Sequence, residues 1–183
     1  MKKFFTSTAV ALTLCFAAAP VFAQTGNCSN CTQGNNTSSS IAGGVFSPAS
    51  AGTSGNSAPV NNAVSGAFGS LFNGGSVSGG GISVGGPAVA QLQNIMSGGA
   101  VPTAYSSALN GSGASAATVN NLTNALSALG ANPSGPALAN AVTAFNALVG
   151  EVTNAATFST PQFLAIFAAL SNMVAVGNVA AGS

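Results

Sequence analysis

Residues 138–156, "LANAVTAFNALVGEVTNAA", decide the fold. Leu138, Val142, Phe145, Val149, Val152 and Ala156 recur there at intervals of 4-3-4-3-4. That is the period of an amphipathic helix with one narrow apolar seam, and no strand produces it. Wound at about 100° per residue, the seam residues share one face. Asn140, Thr143, Ala147, Glu151 and Asn154 fall opposite, so Glu151 is expected to face solvent.

Reading toward the C-terminus, the same rhythm returns in Phe163, Phe167, Leu170, Val174 and Gly177. Pro161 suits a first helical turn, and Ser159 with Gln162 has the spacing of a capping box. The stretch Phe163–Ala181 holds no charge over 19 residues, long enough to cross a bilayer. Ser171, Asn172, Gly177 and Asn178 interrupt it and much of the remainder is alanine, which suits a helix packed on other helices better than a membrane span.

In the other direction, Val119, Leu122, Leu126 and Leu129 form a third seam that is expected to stop at Gly130 as a C′ residue, before the loop "GANPSG". Pro87 opens a stripe of Val89, Leu92, Ile95 and Met96 that ends at Gly98-Gly99. A shorter helix follows Pro102 through Tyr105 and Leu109 to Asn110-Gly111. Short connections make neighbouring helices antiparallel. The expected fold class is therefore mainly α, a small antiparallel helical bundle over about residues 87–180 within an Ala-rich domain, 87–183. Each turn offers one large apolar residue, so such a bundle buries little area by itself, and packing on further copies would add to it.

Residues 24–86 differ in composition, with runs such as "GNNTSSS" and "NGGSVSGGG". A Gly/Ser/Asn-rich segment of this kind buries too little apolar surface to offset its chain entropy, and reads as flexible or irregular. Val60, Val64, Phe68, Leu71 and Phe72 have helical spacing near 60–72, but Gly66 and Gly69 weaken that helix, so helix and irregular chain stay balanced. Ile82 and Val84 alternate as in a strand too short to stand alone.

The first 23 residues read as a signal peptide. Lys2 and Lys3 form the positive n-region, Phe4–Ala19 the apolar h-region, and Val21-Phe22-Ala23 a small-residue cleavage site before Gln24. Leu14 before Cys15 is wrong for lipoprotein processing, and the run is too short for an anchor. The expected destination is the cell exterior or surface, or alternatively the periplasm, after cleavage near Ala23.

Cleavage would remove both lysines, and the whole chain has no Arg, His or Asp. Glu151 would then be the only ionised side chain of a protein in which 2% of residues are charged, against about a quarter ordinarily. The composition excludes several function classes. Nucleic-acid binding needs basic groups on phosphates, attraction to anionic lipid needs them too, and no charged small-molecule substrate finds a counter-ion. The common hydrolytic mechanisms need a base, a second carboxylate or a metal site, so the chain is not expected to be an enzyme and no cofactor is implied.

Cys28 and Cys31, spaced C-x-x-C, lack the α/β context of a redox motif, a following His for haem, and a second pair for zinc. In an exported chain they are expected to form a disulfide, within one chain or between neighbours. "GGGISVGG" has no Lys or acidic partner and reads as a linker rather than a nucleotide loop.

The resulting expectation is a secreted, non-enzymatic structural or interaction protein that self-assembles as a homo-oligomer or polymer, in a filament, sheath, matrix or surface layer. Its self-association seam would comprise Val119, Leu122, Leu126, Leu129, Leu138, Val142, Phe145, Val149, Val152, Phe163, Phe167, Leu170 and Val174. A membrane-active, bacteriocin-like or pore-forming polypeptide is the alternative. A periplasmic binding module for an uncharged ligand is the second.

Overall fold

The computed structural model describes residues 57–181. The expected signal peptide, Cys28 and Cys31 lie outside the described residues. Within them the chain is mostly helical, with six α-helices, one 3-10 turn and a two-stranded sheet. In order these are α1 (Ala58–Leu71), β1 (Ser76–Gly79), β2 (Ile82–Gly85), α2 (Pro87–Met96), α3 (Thr103–Asn110), α4 (Ala116–Ala131), α5 (Gly135–Glu151), the 3-10 turn (Ala155–Ser159) and α6 (Pro161–Ala181).

The ordered unit begins well before residue 87, and composition misled here. Pro59 sits in the first turn of α1, and Val60, Val64, Ala67 and Leu71 point at the core. Gly66 and Gly69 lie on the exposed side, so they weaken α1 without opening holes in its packing. The Gly-rich run that follows is a hairpin. Gly80 and Gly81, both at positive φ, make the two-residue turn between β1 and β2, the backbone that lets antiparallel strands close with their natural twist. Val77 faces Val84 across the pair and both are buried. A hairpin this small is marginal alone; it holds because it lies on α6, with Asn172 Nδ2 donating to Ser78 O at 3.1 Å.

Helix α6 is the hub. It packs against α1, both strands, α2, α3, α5 and the 3-10 turn. From Phe163 to Val174 only Leu164 and Asn172 are partly exposed. The expected single seam is therefore corrected to a helix enclosed by neighbours from Phe163 to Val174, with Ala175, Val176 and Val179 exposed in its last turns. Ala165, Ala168 and Ala169 are completely buried because alanine lets neighbouring backbones come close. A Cβ on Gly79 would lie 2.1 Å from Ala168 O.

Three further expectations change. Gly130 does not end α4, which runs on to Ala131; a Cβ at Gly130 would meet Met96 O at 1.6 Å, so glycine serves the crossing of α2 and α4. The seam from Leu138 to Ala156 is not one helix. α5 stops at Glu151, Val152 turns extended, and Ala156 belongs to the 3-10 turn. Ser159 does not cap α6. Thr160 does, its Oγ1 accepting from Phe163 N at 3.4 Å.

The core runs continuously through these elements. Phe145 of α5 meets Phe163 and Phe167 of α6 at centroid separations of 5.0 and 6.4 Å, and Phe158 of the 3-10 turn lies edge-on to Phe163 at 5.2 Å. Such aromatic pairs add about 0.5–1.5 kcal/mol each beyond the area they bury.

Candidate functional site

The residues expected to form the self-association seam are interior. Val119, Leu122, Leu126, Leu129, Leu138, Val142, Phe145, Phe163, Phe167, Leu170 and Val174 are buried, and Val149 and Val152 are partly buried against the same core. The folding of this one chain consumes the apolar faces that sequence periodicity offered to other copies. Leu148, outside the seam as read from spacing, is fully buried beside them, because a globular helix buries a wider stripe than a coiled-coil seam.

Apart from Glu151, the described exterior is polar and uncharged. Asn120, Asn121 and Asn124 on α4, Asn140, Thr143 and Ala147 on α5, and Gln93 and Asn94 on α2 are all exposed. Large exposed hydrophobics among the described residues are Val101, Val176 and Val179, the last 73% exposed. Val176 and Val179 line a shallow groove of about 390 Å³ at the end of α6, together with Ala63, Ala175 and Ala180.

One constellation carries the chemistry the described chain has. Ser115 is the N-cap of α4, and its Oγ accepts from Thr118 N at 3.2 Å. In a capping box the residue at the fourth position would be Glu or Gln and would accept from the cap's own backbone N–H. Here that position is Thr118, and a carboxylate from another helix takes the role. Glu151, at the end of α5, accepts from Ser115 N through Oε2 at 2.8 Å and from the Thr118 hydroxyl through Oε1 at 2.7 Å. The Ser115 hydroxyl in turn donates to Thr118 Oγ1 at 2.9 Å. The negative charge thus lies at the positive end of α4.

Immediately downstream the chain is held again. Thr153 N and Asn154 N both donate to Ser112 O at 3.0 Å, and Asn154 Nδ2 donates to Gly111 O at 3.1 Å. Gly113, at φ +89°, turns the loop so tightly that a Cβ there would meet Thr153 Oγ1 at 2.0 Å. Residues 151–154 and 111–118 therefore form a clasp between the ends of α5 and α3 and the start of α4.

Glu151 is exposed, as its place opposite the seam predicts, but it is hydrogen-bonded. Those bonds hold its carboxyl below the usual carboxylate range, the Thr118 hydroxyl contributing most, then the Ser115 backbone N–H and the Ser115 hydroxyl. Tyr105 is completely buried and donates to Ala88 O at 2.9 Å. Burial raises its phenol above the ordinary value. It ties α3 to the first turn of α2.

Among the described residues no group of three or more His, Cys, Asp or Glu could hold a metal ion. Comparison of the chain with protein-family models, with curated proteins and with solved structures returns no match. The class defined by fold and site is a mainly helical domain whose described exterior is polar and carries one charged side chain, Glu151.

Proposed function

We propose that this chain is an exported, non-enzymatic structural or interaction protein that self-assembles as a homo-oligomer or polymer in an extracellular filament, sheath, matrix or surface layer. One observation carries the reading: a signal-like N-terminus holds both lysines, leaving Glu151 as the only charged side chain beyond it. Net charge and dispersed surface charge keep proteins apart in solution, and this exterior of Asn, Ser, Thr, Gln and Ala has next to none. Because the α4, α5 and α6 seams are internal, contact between copies falls to that uncharged exterior and to the Val176–Val179 end of α6. α5 packs on both α4 and α6, and with the short 132–134 connection we read these three as a small antiparallel bundle. We assign Cys28 and Cys31 to a disulfide, and the mature chain to the cell surface or exterior. No cofactor, nucleic acid or charged substrate is assigned to the chain.

Sedimentation of the purified mature chain, with negative-stain microscopy, tests this reading. Assembly that grows with concentration and survives 1 M salt is expected, since no ion pairs would hold it. A monomer at every accessible concentration refutes it.

A membrane-active role is the second reading, and α6 is the observation that favours it. Within its 21 residues an 18-residue window has a mean hydropathy of 1.8, enough to cross a bilayer, although 61% of that window is buried within the fold. An enclosed core helix has the same composition. Liposomes of neutral lipid distinguish the two: neither binding nor dye leakage leaves the membrane reading without support.

A further inference from the structure

We propose that Glu151 is an acid-sensitive latch: its carboxylate fastens the end of α5 to the start of α4, and taking up a proton weakens that junction. The geometry allows little else. A carboxylate offers acceptors on both oxygens, and here both face donors, Ser115 N–H on Oε2 and the Thr118 O–H on Oε1. A proton arriving from solvent turns one oxygen into a donor. The backbone N–H of Ser115 cannot turn away. The Thr118 hydroxyl, which also accepts from Ser115 Oγ, would have to turn its own hydrogen away to accept from a new O–H on Oε1. The carboxyl keeps acceptor capacity but becomes a neutral, weaker acceptor, so both bonds lose their charge assistance and the favourable charge at the start of α4 disappears.

No second side chain among the described residues masks the event. Among the described residues the titratable side chains are Glu151 and Tyr105, and Tyr105 lies in a different contact, on Ala88 O. No Lys, Arg, His or Asp faces Glu151 from α4, from the 111–115 loop or from residues 152–154, because none exists beyond Lys3. The clasp also controls more than one bond. Residues 152–154 leave α5 beside Glu151, are held on Ser112 O, and lead through the 3-10 turn to the Thr160 cap of the central helix α6.

Direction follows from the lowered carboxyl. A group held below its unfolded value stabilises the fold above that unfolded value, and the stabilisation fades as pH falls through the folded one. Acid therefore loosens the domain. In most proteins such a response sums over many carboxylates, whereas here one side chain supplies it.

Amide NMR of the ¹⁵N-labelled mature chain from pH 7 to pH 2.5 reads the latch directly. The Ser115 amide proton should move upfield in a one-proton step centred below the pH at which an unperturbed glutamate titrates, with Thr153 and Asn154 shifting in the same step. Thermal melts should show a Tm that falls over the same interval. The Glu151→Gln variant should melt independently of pH there, at or below the wild-type acid value. A Ser115 amide that does not titrate overturns the proposal, and so does a Glu151→Gln variant with the wild-type pH dependence. The NMR titration needs no variant, so a misfolded Glu151→Gln leaves the test intact.

Discussion

Gly130→Ala should destabilise the domain, although the same change normally strengthens a helix. Gly130 lies within α4, one residue from its end. Replacing a helical glycine by alanine ordinarily gains up to about 1 kcal/mol. Against that, an ideal Cβ at 130 would lie 1.6 Å from Met96 O, 2.4 Å from Met96 C and 2.8 Å from Met96 Cα. Ordinary van der Waals contact begins near 3.4 Å, so α2 and α4 would have to separate by well over an ångström at this point.

The obstacle is backbone at the end of α2, and the Met96 side chain is itself fully buried. Neither can swing aside as a flexible surface group would. Overpacking a filled core costs about 1–3 kcal/mol, and a displacement larger than one methylene demands points to the upper part of that range. After subtracting the propensity gain, the net loss should be about 1–2 kcal/mol. Gly66 of α1 is the control, since a Cβ there meets nothing within 4 Å; Gly66→Ala should gain about 0.5–1 kcal/mol. Urea unfolding followed by far-UV circular dichroism gives both values, provided the slope m is unchanged. A Gly130→Ala protein as stable as wild type, beside a stabilised Gly66→Ala, would refute the argument that glycine at 130 exists for the helix crossing.

Phe145→Ala removes the ring shared with Phe163 and Phe167 and should cost about 3–5 kcal/mol in the same unfolding assay. Tyr105→Phe removes the hydroxyl that donates to Ala88 O and should cost about 0.5–1.5 kcal/mol, since that carbonyl keeps its place in the α2 ladder. The phenol's value is raised on folding, so its contribution is complete below the unfolded value near pH 10 and is lost as pH rises toward the folded one. Ultraviolet titration of the folded chain should show no phenolate where the unfolded chain is half ionised. Asn61 Oδ1 accepts from Gly135 N at 2.9 Å, capping α5 from α1; Asn61→Ala should lower stability by about 0.5–2 kcal/mol, as loss of a helix cap does. Val179→Ser alters the exposed end of α6 and should weaken assembly in sedimentation while leaving Tm within a few degrees.

Much of the helical part was legible because its periodicity is strict. Leu122, Leu126, Leu138, Val142, Phe145, Phe163, Phe167 and Leu170 are fully or almost fully buried, as their 3- and 4-residue spacing predicts. The same spacing could not say against what they pack. A seam that faces its own chain and a seam that faces another copy are written identically, since both need only one apolar stripe. The clasp was illegible for a related reason. Ser115 and Thr118 form half of a capping box, but its carboxylate comes from Glu151, 36 residues away from Ser115. The sequence signal is a cap with its acidic residue missing, next to a chain that owns a single acidic side chain.

Residues 57–86 show where composition fails. Low apolar content argues against independent folding, and that argument holds for the segment alone. Docked on α6, Val60, Val64, Leu71, Val77 and Val84 need contribute only one face each to a core built largely by others.

Helical character, low charge and most of the interior residues of α4, α5 and α6 could be read from local period and composition. That α6 is enclosed from Phe163 to Val174, that Gly130 serves a helix crossing and that Glu151 caps a helix other than its own emerge from the folded chain alone. Each of those depends on which distant segments meet, and proximity in space leaves no mark in a one-dimensional pattern.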